Sequence, residues 1–241
     1  AEWWASEFLI VLAGYLRNPT VTVSAMSIYQ ATNAFAFMIA VGFGAATATR
    51  VSHEVGARNA TGARLAAAVA LCLIVVVELV VSLVVYLSRD HWGAAFTSDP
   101  RVRAHVANLM LPLAVYVFFD AICCVSTSVL RGAGRQAFAA PIILVAYYLI
   151  GLPASAYLAF TKSHGTMGLA IGGVLGTATH AGVMTFVSAR VDWRREIERS
   201  LDIRRVGADA DDSDSDSLSD DDDADDTAHE RTDARKLLDA E

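Results

Sequence analysis

Residues Asn108 to Gln136 read NLMLPLAVYVFFDAICCVSTSVLRGAGRQ, one long apolar run with Asp120 near its middle and Arg131 and Arg135 at its end. About 20 apolar residues are enough for a helix to cross the ~30 Å hydrocarbon core of a bilayer. A carboxylate at that depth costs roughly 2.5–3.5 kcal/mol on insertion scales, so an intramembrane acid marks a functional site by default. The run predicts a transmembrane helix, and Asp120 is its first candidate site residue.

Working outward, the chain holds six such apolar segments, expected as spans at about 2–16, 21–48, 65–87, 106–130, 137–160 and 167–189. The fold class that follows is an all-α membrane protein of six transmembrane helices. Arg17-Asn18-Pro19 is a turn signal after the first segment, the second carries no charge, and the third is interrupted only by Glu78. Pro141 and Pro153 in the fifth predict kinks whose freed carbonyls face protein or water. In the sixth, Gly168, Gly172 and Gly176 recur every four residues and line one helix face, the pattern of a close packing seam. The chain opens at Ala1 inside an apolar run, without a basic stretch and cleavage site. That reads as no signal peptide and as a fragment starting within its first helix.

Charge divides the chain. Residues 1–206 hold 16 Lys and Arg against 11 Asp and Glu, whereas residues 207–241 hold 3 against 15. The tail from about 207 (GADADDSDSDSLSDDDDADD) has too few apolar residues to bury a core and is expected to be disordered within a tail spanning 201–241. Ser213, Ser217 and Ser219 each have an Asp three residues on, so phosphorylation there would deepen an already negative segment. The membrane-spanning loops split their basic residues evenly, but Arg190, Arg194, Arg195, Arg199, Arg204 and Arg205 follow the last span. By the positive-inside rule this cluster places the C-terminal tail in the cytoplasm. Cys72, Cys123 and Cys124 lie in apolar runs without metal-site spacing and read as small hydrophobes.

Four acids lie within or near the apolar runs: Glu2, Glu7, Glu78 and Asp120. At 1.5 Å per residue, Glu78 and Asp120 fall near the midplane, with Glu7 roughly 15 Å and Glu2 roughly 22 Å in from Arg17. Lipid exposure of any of them would be costly, so all are expected to face a common interior or a watery cavity. Gln30 and Asn33, three residues apart on one face, join them, as do Tyr116, Tyr147, Tyr148 and His180. Taken singly, each neutral polar residue reads first as an interhelical hydrogen bond. No soluble-enzyme constellation competes. His53-Glu54 is followed by Val55, Gly56 and Ala57, so the two-histidine zinc motif is absent, and no second aspartate on a neighbouring span suggests an aspartyl protease. No metal site, organic cofactor or nucleic-acid partner is expected, and the chain does not read as an enzyme.

One cytoplasmic loop carries a resemblance. The run Thr49-Arg50-Val51-Ser52-His53-Glu54-Val55-Gly56-Ala57-Arg58-Asn59 resembles the TRVSNELGAGN segment of multidrug and toxic compound extrusion (MATE) transporters. Other pieces fall in family order. Glu2-Trp3-Trp4 with Glu7 is similar to the opening of the seventh helix, and Asn18-Pro19 to the turn after it. Arg131-Gly132-Ala133-Gly134-Arg135-Gln136 resembles the RGxGxQ loop after the tenth, Tyr147-Tyr148 with Gly151 and Pro153 the eleventh, and Asp192-Trp193 the exit from the twelfth. The match covers residues 1 to about 200 and is nearest the eukaryotic branch.

The resemblance implies one lobe of a twelve-helix carrier, whose partner would be an N-terminal six-helix lobe missing from this chain. It also implies exchange of protons (sodium in some branches) for organic cations, xenobiotics or secondary metabolites, by alternating access in a plasma or vacuolar membrane. Glu2 and Asp120 then line the cavity with Glu7 as an auxiliary, and Gln30, Asn33 and Tyr147 complete the candidate proton- and substrate-binding set. Animal members carry a glutamate on the eighth helix; here that region holds neutral Gln30, Ala31, Thr32 and Asn33, leaving the cavity one negative charge fewer. A proton and a cationic substrate would compete for the same carboxylate. A channel, or a non-transporting structural or regulatory six-helix membrane protein, would share these buried acids and stands as the alternative.

Overall fold

The structure, a computed structural model, describes residues 2–202. The acidic tail, including Ser213, Ser217 and Ser219, lies outside the described residues. The described residues form helices and connecting turns, with no β-strand among them. Six helical segments match the six apolar runs: α1 (Glu2–Ala13), α2 (Pro19–Gly56), α3 (Ala60–Leu87), α4 (Pro100–Gly132), α5 (Gln136–Thr161) and α6 (Gly165–Ala189). Five of them, α2 to α6, are long and apolar enough to cross a membrane. At 12 residues α1 rises about 18 Å, so as described it is shorter than the span expected at 2–16.

Most helices overrun the expected bounds, because turn chemistry rather than charge stops them. α2 does not end near Ala48 but continues through Arg50 and Glu54 to Gly56. Glu54 is the hub of the turn that follows. It pairs with Arg50 at 2.9 Å one helical turn back and accepts from Asn59 Nδ2 at 2.8 Å. Asn59 in turn caps α3, its Oδ1 accepting from the Gly62 amide at 3.0 Å. Arg58 adopts the left-handed region at φ 59°, where the family segment it resembles has glycine. α4 starts at Pro100 behind Asp99, whose Oδ1 accepts from the Arg101 amide at 2.8 Å.

α4 is the central helix. Its apolar stretch is 67% buried inside the lobe against 17% for α3, and α2 and α3 make their most extensive contacts on it. Leu9, Met26, Leu109, Leu113 and Leu169 belong to the main core, and Ala40, Ile74, Ala121 and Val125 form a smaller one nearer the C-terminal end of α4. After α3 a short helix, Arg89–Trp92, folds back so that Trp92 Nε1 donates to Thr32 Oγ1 on α2 at 2.7 Å.

In the fifth span, where Pro141 and Pro153 predict kinks, the helix changes its hydrogen-bonding pattern. α5 widens to i→i+5 bonding over Leu144–Gly151 and again over Tyr157–Thr161. The glycine seam of α6 lies against it. A Cβ at Gly168 would stand 2.6 Å from the Ala159 amide, one at Gly172 would run into Ser155, and one at Gly176 would stand 3.1 Å from the Gly151 Cα. Ser155 Oγ donates across this contact to the Leu169 carbonyl at 3.0 Å.

Candidate functional site

Asp120 sits on α4 between the two cores, one residue from Ala121 in the smaller core and three from Val117 in the main one. It is buried, 4% exposed, and lines a cleft of about 460 Å³ together with Ser6, Glu7, Gln30, Asn33, Phe37 and Tyr116. Three helices build this cleft. α1 contributes Ser6 and Glu7; α2 contributes Gln30, Asn33, Ala34 and Phe37, the i, i+3, i+4, i+7 set of one face; α4 contributes Tyr116 and Asp120, one turn apart. Tyr29 stands behind it, its ring edge-on to Tyr116 at 6.2 Å.

Four of the six expected site residues, Asp120, Glu7, Gln30 and Asn33, therefore meet in one cleft. Glu2 begins α1, and its side chain lies outside the described residues. Tyr147 is displaced from that group. It is buried on α5 and lines a smaller adjoining cleft of about 250 Å³ with Ala5, Leu9, Gly151 and Ser155, which shares only Ser6 and Tyr116 with the first. Its hydroxyl lies 3.4 Å from His180 Nδ1 and 3.5 Å from Thr177 Oγ1. Packing of α6 behind α5 turns Tyr147 towards α6, a neighbour that sequence spacing alone does not reveal.

The expectation that all the mid-span acids face one interior is wrong for Glu78. It is fully buried, with no exposed surface, but on the α3 side of α4 rather than in the cleft. One turn before it Ile74 packs into the smaller core, and one turn after it Ser82 Oγ donates to the Ala114 carbonyl at 2.8 Å. Neither Glu78 oxygen has a hydrogen-bond partner among the described residues. The position of each acid along its helix was legible from sequence; the face of α4 that each acid meets was not.

Several contributors escaped the sequence reading. Phe37 and Ala34 continue the Gln30–Asn33 face by helical spacing, and Ser6 adjoins Glu7, so those three could have been found by extending the stripe. Cys123, read as a small hydrophobe, and His180, read as an interhelical hydrogen-bonding residue, meet at 2.8 Å between Sγ and Nδ1. No local signal links residues 57 positions apart on two helices. Among the described residues no group of three or more His, Cys, Asp or Glu side chains is placed to hold a metal ion. Chemically, the cleft offers one buried carboxylate, a second exposed one, two amides and aromatic faces. Those groups bind cations by charge and by the ring faces, and bind protons at the carboxylates.

A family model described as MatE matches residues 1–157. Among curated proteins, the chain is 36% identical to Protein DETOXIFICATION 16 of Arabidopsis thaliana, over 83% of this chain and 41% of that protein. It is 34% identical to Protein DETOXIFICATION 14 of Arabidopsis thaliana over 83% and 41%. The fold is similar to the crystal structure of the eukaryotic MATE transporter AtDTX14, with a TM-score of 0.79 at 34% identity, covering 82% of this chain and 44% of that one. An outward-facing multidrug resistance MATE family transporter shares the fold at a TM-score of 0.72 and 16% identity, over 82% and 43%. The chain thus spans about two fifths of the length of the curated relatives it matches. A helical membrane lobe carrying the family's loop motifs in order, matched by its family model and by relatives above one-third identity, belongs to the MATE family.

Proposed function

We propose that this chain forms one lobe of a secondary active transporter, the other being an N-terminal six-helix lobe. The whole carrier would export organic cations, xenobiotics or secondary metabolites in exchange for protons, by alternating access. It is an integral, multi-pass membrane protein; the C-terminal tail would face the cytoplasm, in a plasma or vacuolar membrane. Transport rather than enzymatic chemistry is what the family relatives support.

The observation carrying this reading is the nearly buried carboxylate of Asp120, held at mid-span in a cleft with Glu7, Gln30 and Asn33. A carboxylate held there in low dielectric must be neutralised, either by a proton or by a cation, and both cannot occupy it together. Competition for that charge is the coupling: proton entry from one side releases substrate, and deprotonation towards the other restores affinity. Glu2 is the proposed second carboxylate, with Gln30, Asn33 and Tyr116 orienting the substrate. Tyr147 would act from behind, through the Ser6 and Tyr116 walls that its cleft shares.

The test is transport by the full-length protein in proteoliposomes under an imposed pH gradient. Asp120→Asn and Glu2→Gln should each abolish proton-driven uptake of an organic cation that the wild type accumulates. Retention of pH-sensitive uptake by both variants would overturn the exchange mechanism. Flux that neither saturates nor runs uphill would overturn the carrier and favour a channel.

A further inference from the structure

Away from the cleft, a groove of about 1370 Å³ opens between the N-terminal end of α3 and the segment leaving α6. Its polar lining is strongly biased. Arg64 comes from α3, and Arg190 and Arg194 from the α6 exit, against a single acid, Asp192. That acid is engaged: Asp192 Oδ1 accepts from the Arg194 and Arg195 amides at 3.2 and 3.4 Å. All three arginines are exposed, and none forms an ion pair among the described residues. Arg190 lies over the Phe186 ring at 4.6 Å, which holds its guanidinium beside the apolar span instead of out in bulk water.

Below the arginines the lining turns apolar. Ala67, Ala68 and Leu71 follow Arg64 at i+3, i+4 and i+7 and carry the groove down the membrane-spanning part of α3. That helix turns its outer face away from the lobe, with Leu65 62%, Val69 47% and Leu73 51% exposed. A groove with cationic groups at its mouth and an apolar wall along a bilayer-crossing helix has the division of chemistry of a phospholipid.

We propose that this groove binds an anionic membrane lipid, its phosphate held by Arg64, Arg190 and Arg194 and an acyl chain lying along Ala67, Ala68 and Leu71. Guanidinium forks match phosphate oxygens two at a time, and basic pockets between helices at a membrane face select anionic headgroups. In the orientation proposed above, this end meets the cytoplasmic leaflet, where anionic lipids are concentrated. The lipid would tie α3 to the α6 exit, two elements joined otherwise mainly through α4.

The experiment is native mass spectrometry on the delipidated, detergent-purified full-length protein, titrated with phosphatidylglycerol, phosphatidylcholine or inorganic phosphate. Wild type should retain one phosphatidylglycerol with a preference over phosphatidylcholine on the order of tenfold. The combined Arg64→Gln, Arg190→Gln and Arg194→Gln variant should lose that preference. The combined Arg89→Gln, Arg101→Gln and Arg103→Gln variant, at the other end of the lobe, should keep it. No preference in the wild type, or preference surviving in the groove variant, overturns the proposal. Equal occupancy by inorganic phosphate, displacing the phosphatidylglycerol, assigns the site to a free anion and also overturns it. A second measurement needs no variant: a photoactivatable phosphatidylglycerol should crosslink wild-type protein within residues 60–71 and 186–194, and crosslinks confined elsewhere refute the site.

Discussion

At the scale of single residues, two mid-span acids have separate environments. Asp120 shares its cleft with amides, tyrosine and a second carboxylate, whereas Glu78 is enclosed between α3 and α4 with neither oxygen partnered among the described residues. A buried polar group left without a partner costs about 1–3 kcal/mol, and an apolar side chain of similar shape removes that cost. Glu78→Met should therefore raise the thermal unfolding midpoint by a few degrees and leave transport at the wild-type rate. A lower midpoint together with lost transport would show that Glu78 works in the cycle. The same scale shows what sequence could reach. Asp120, Glu7, Gln30 and Asn33 were legible because a polar residue in an apolar helix is conspicuous and helical spacing assigns it a face. The partition of Glu78 from Asp120 was not, since nothing in one helix's sequence says which side of α4 it will pack against.

At the scale of elements, the glycine seam is the part of the fold most sharply specified by the chain. Gly168, Gly172 and Gly176 let the backbones of α5 and α6 touch where a methyl group would collide. In the same helix, Gly182 has no atom within 4 Å of where its Cβ would stand. Both substitutions to alanine gain helix propensity of about 1 kcal/mol, so their difference isolates the seam. Gly172→Ala should lower stability by about 1–3 kcal/mol through overpacking against Ser155, while Gly182→Ala should be neutral or stabilising, as read by thermal unfolding in detergent. Equal effects would remove the seam as a packing element. The loops tell a different story. The two motifs at the C-terminal ends of α2 and α4 are turn and latch chemistry: Glu54 ties Arg50 to Asn59, and Arg135 pairs with the buried Glu196 at 2.6 Å. Their resemblance to a family was readable in sequence. Their purpose was not, because Glu196 lies 61 residues from Arg135 and carries no local mark as its partner.

At the scale of the whole molecule, the membrane supplies the organising field. The body's excess of basic residues is unevenly placed, with six arginines in residues 190–205 after the last span. Positive charge crosses a membrane poorly during insertion, so the orientation proposed above predicts that cluster and the hairpin turns of Arg58 and Arg131 on the cytoplasmic side, and Lys162 between α5 and α6 on the opposite one. The five long helices leave no other parity: once one connection is assigned, each of the rest follows by alternation. Single cysteines placed in the full-length protein test the assignment, in a background with Cys72, Cys123 and Cys124 changed to serine or alanine. Lys162→Cys should react with a membrane-impermeant maleimide on intact cells, or on the lumenal side of sealed vesicles if the membrane is vacuolar. Arg131→Cys and Arg195→Cys should react only from the cytoplasmic side. Labelling of Arg195→Cys from the same side as Lys162→Cys would break the alternation and, with it, the placement of the arginine groove in the cytoplasmic leaflet.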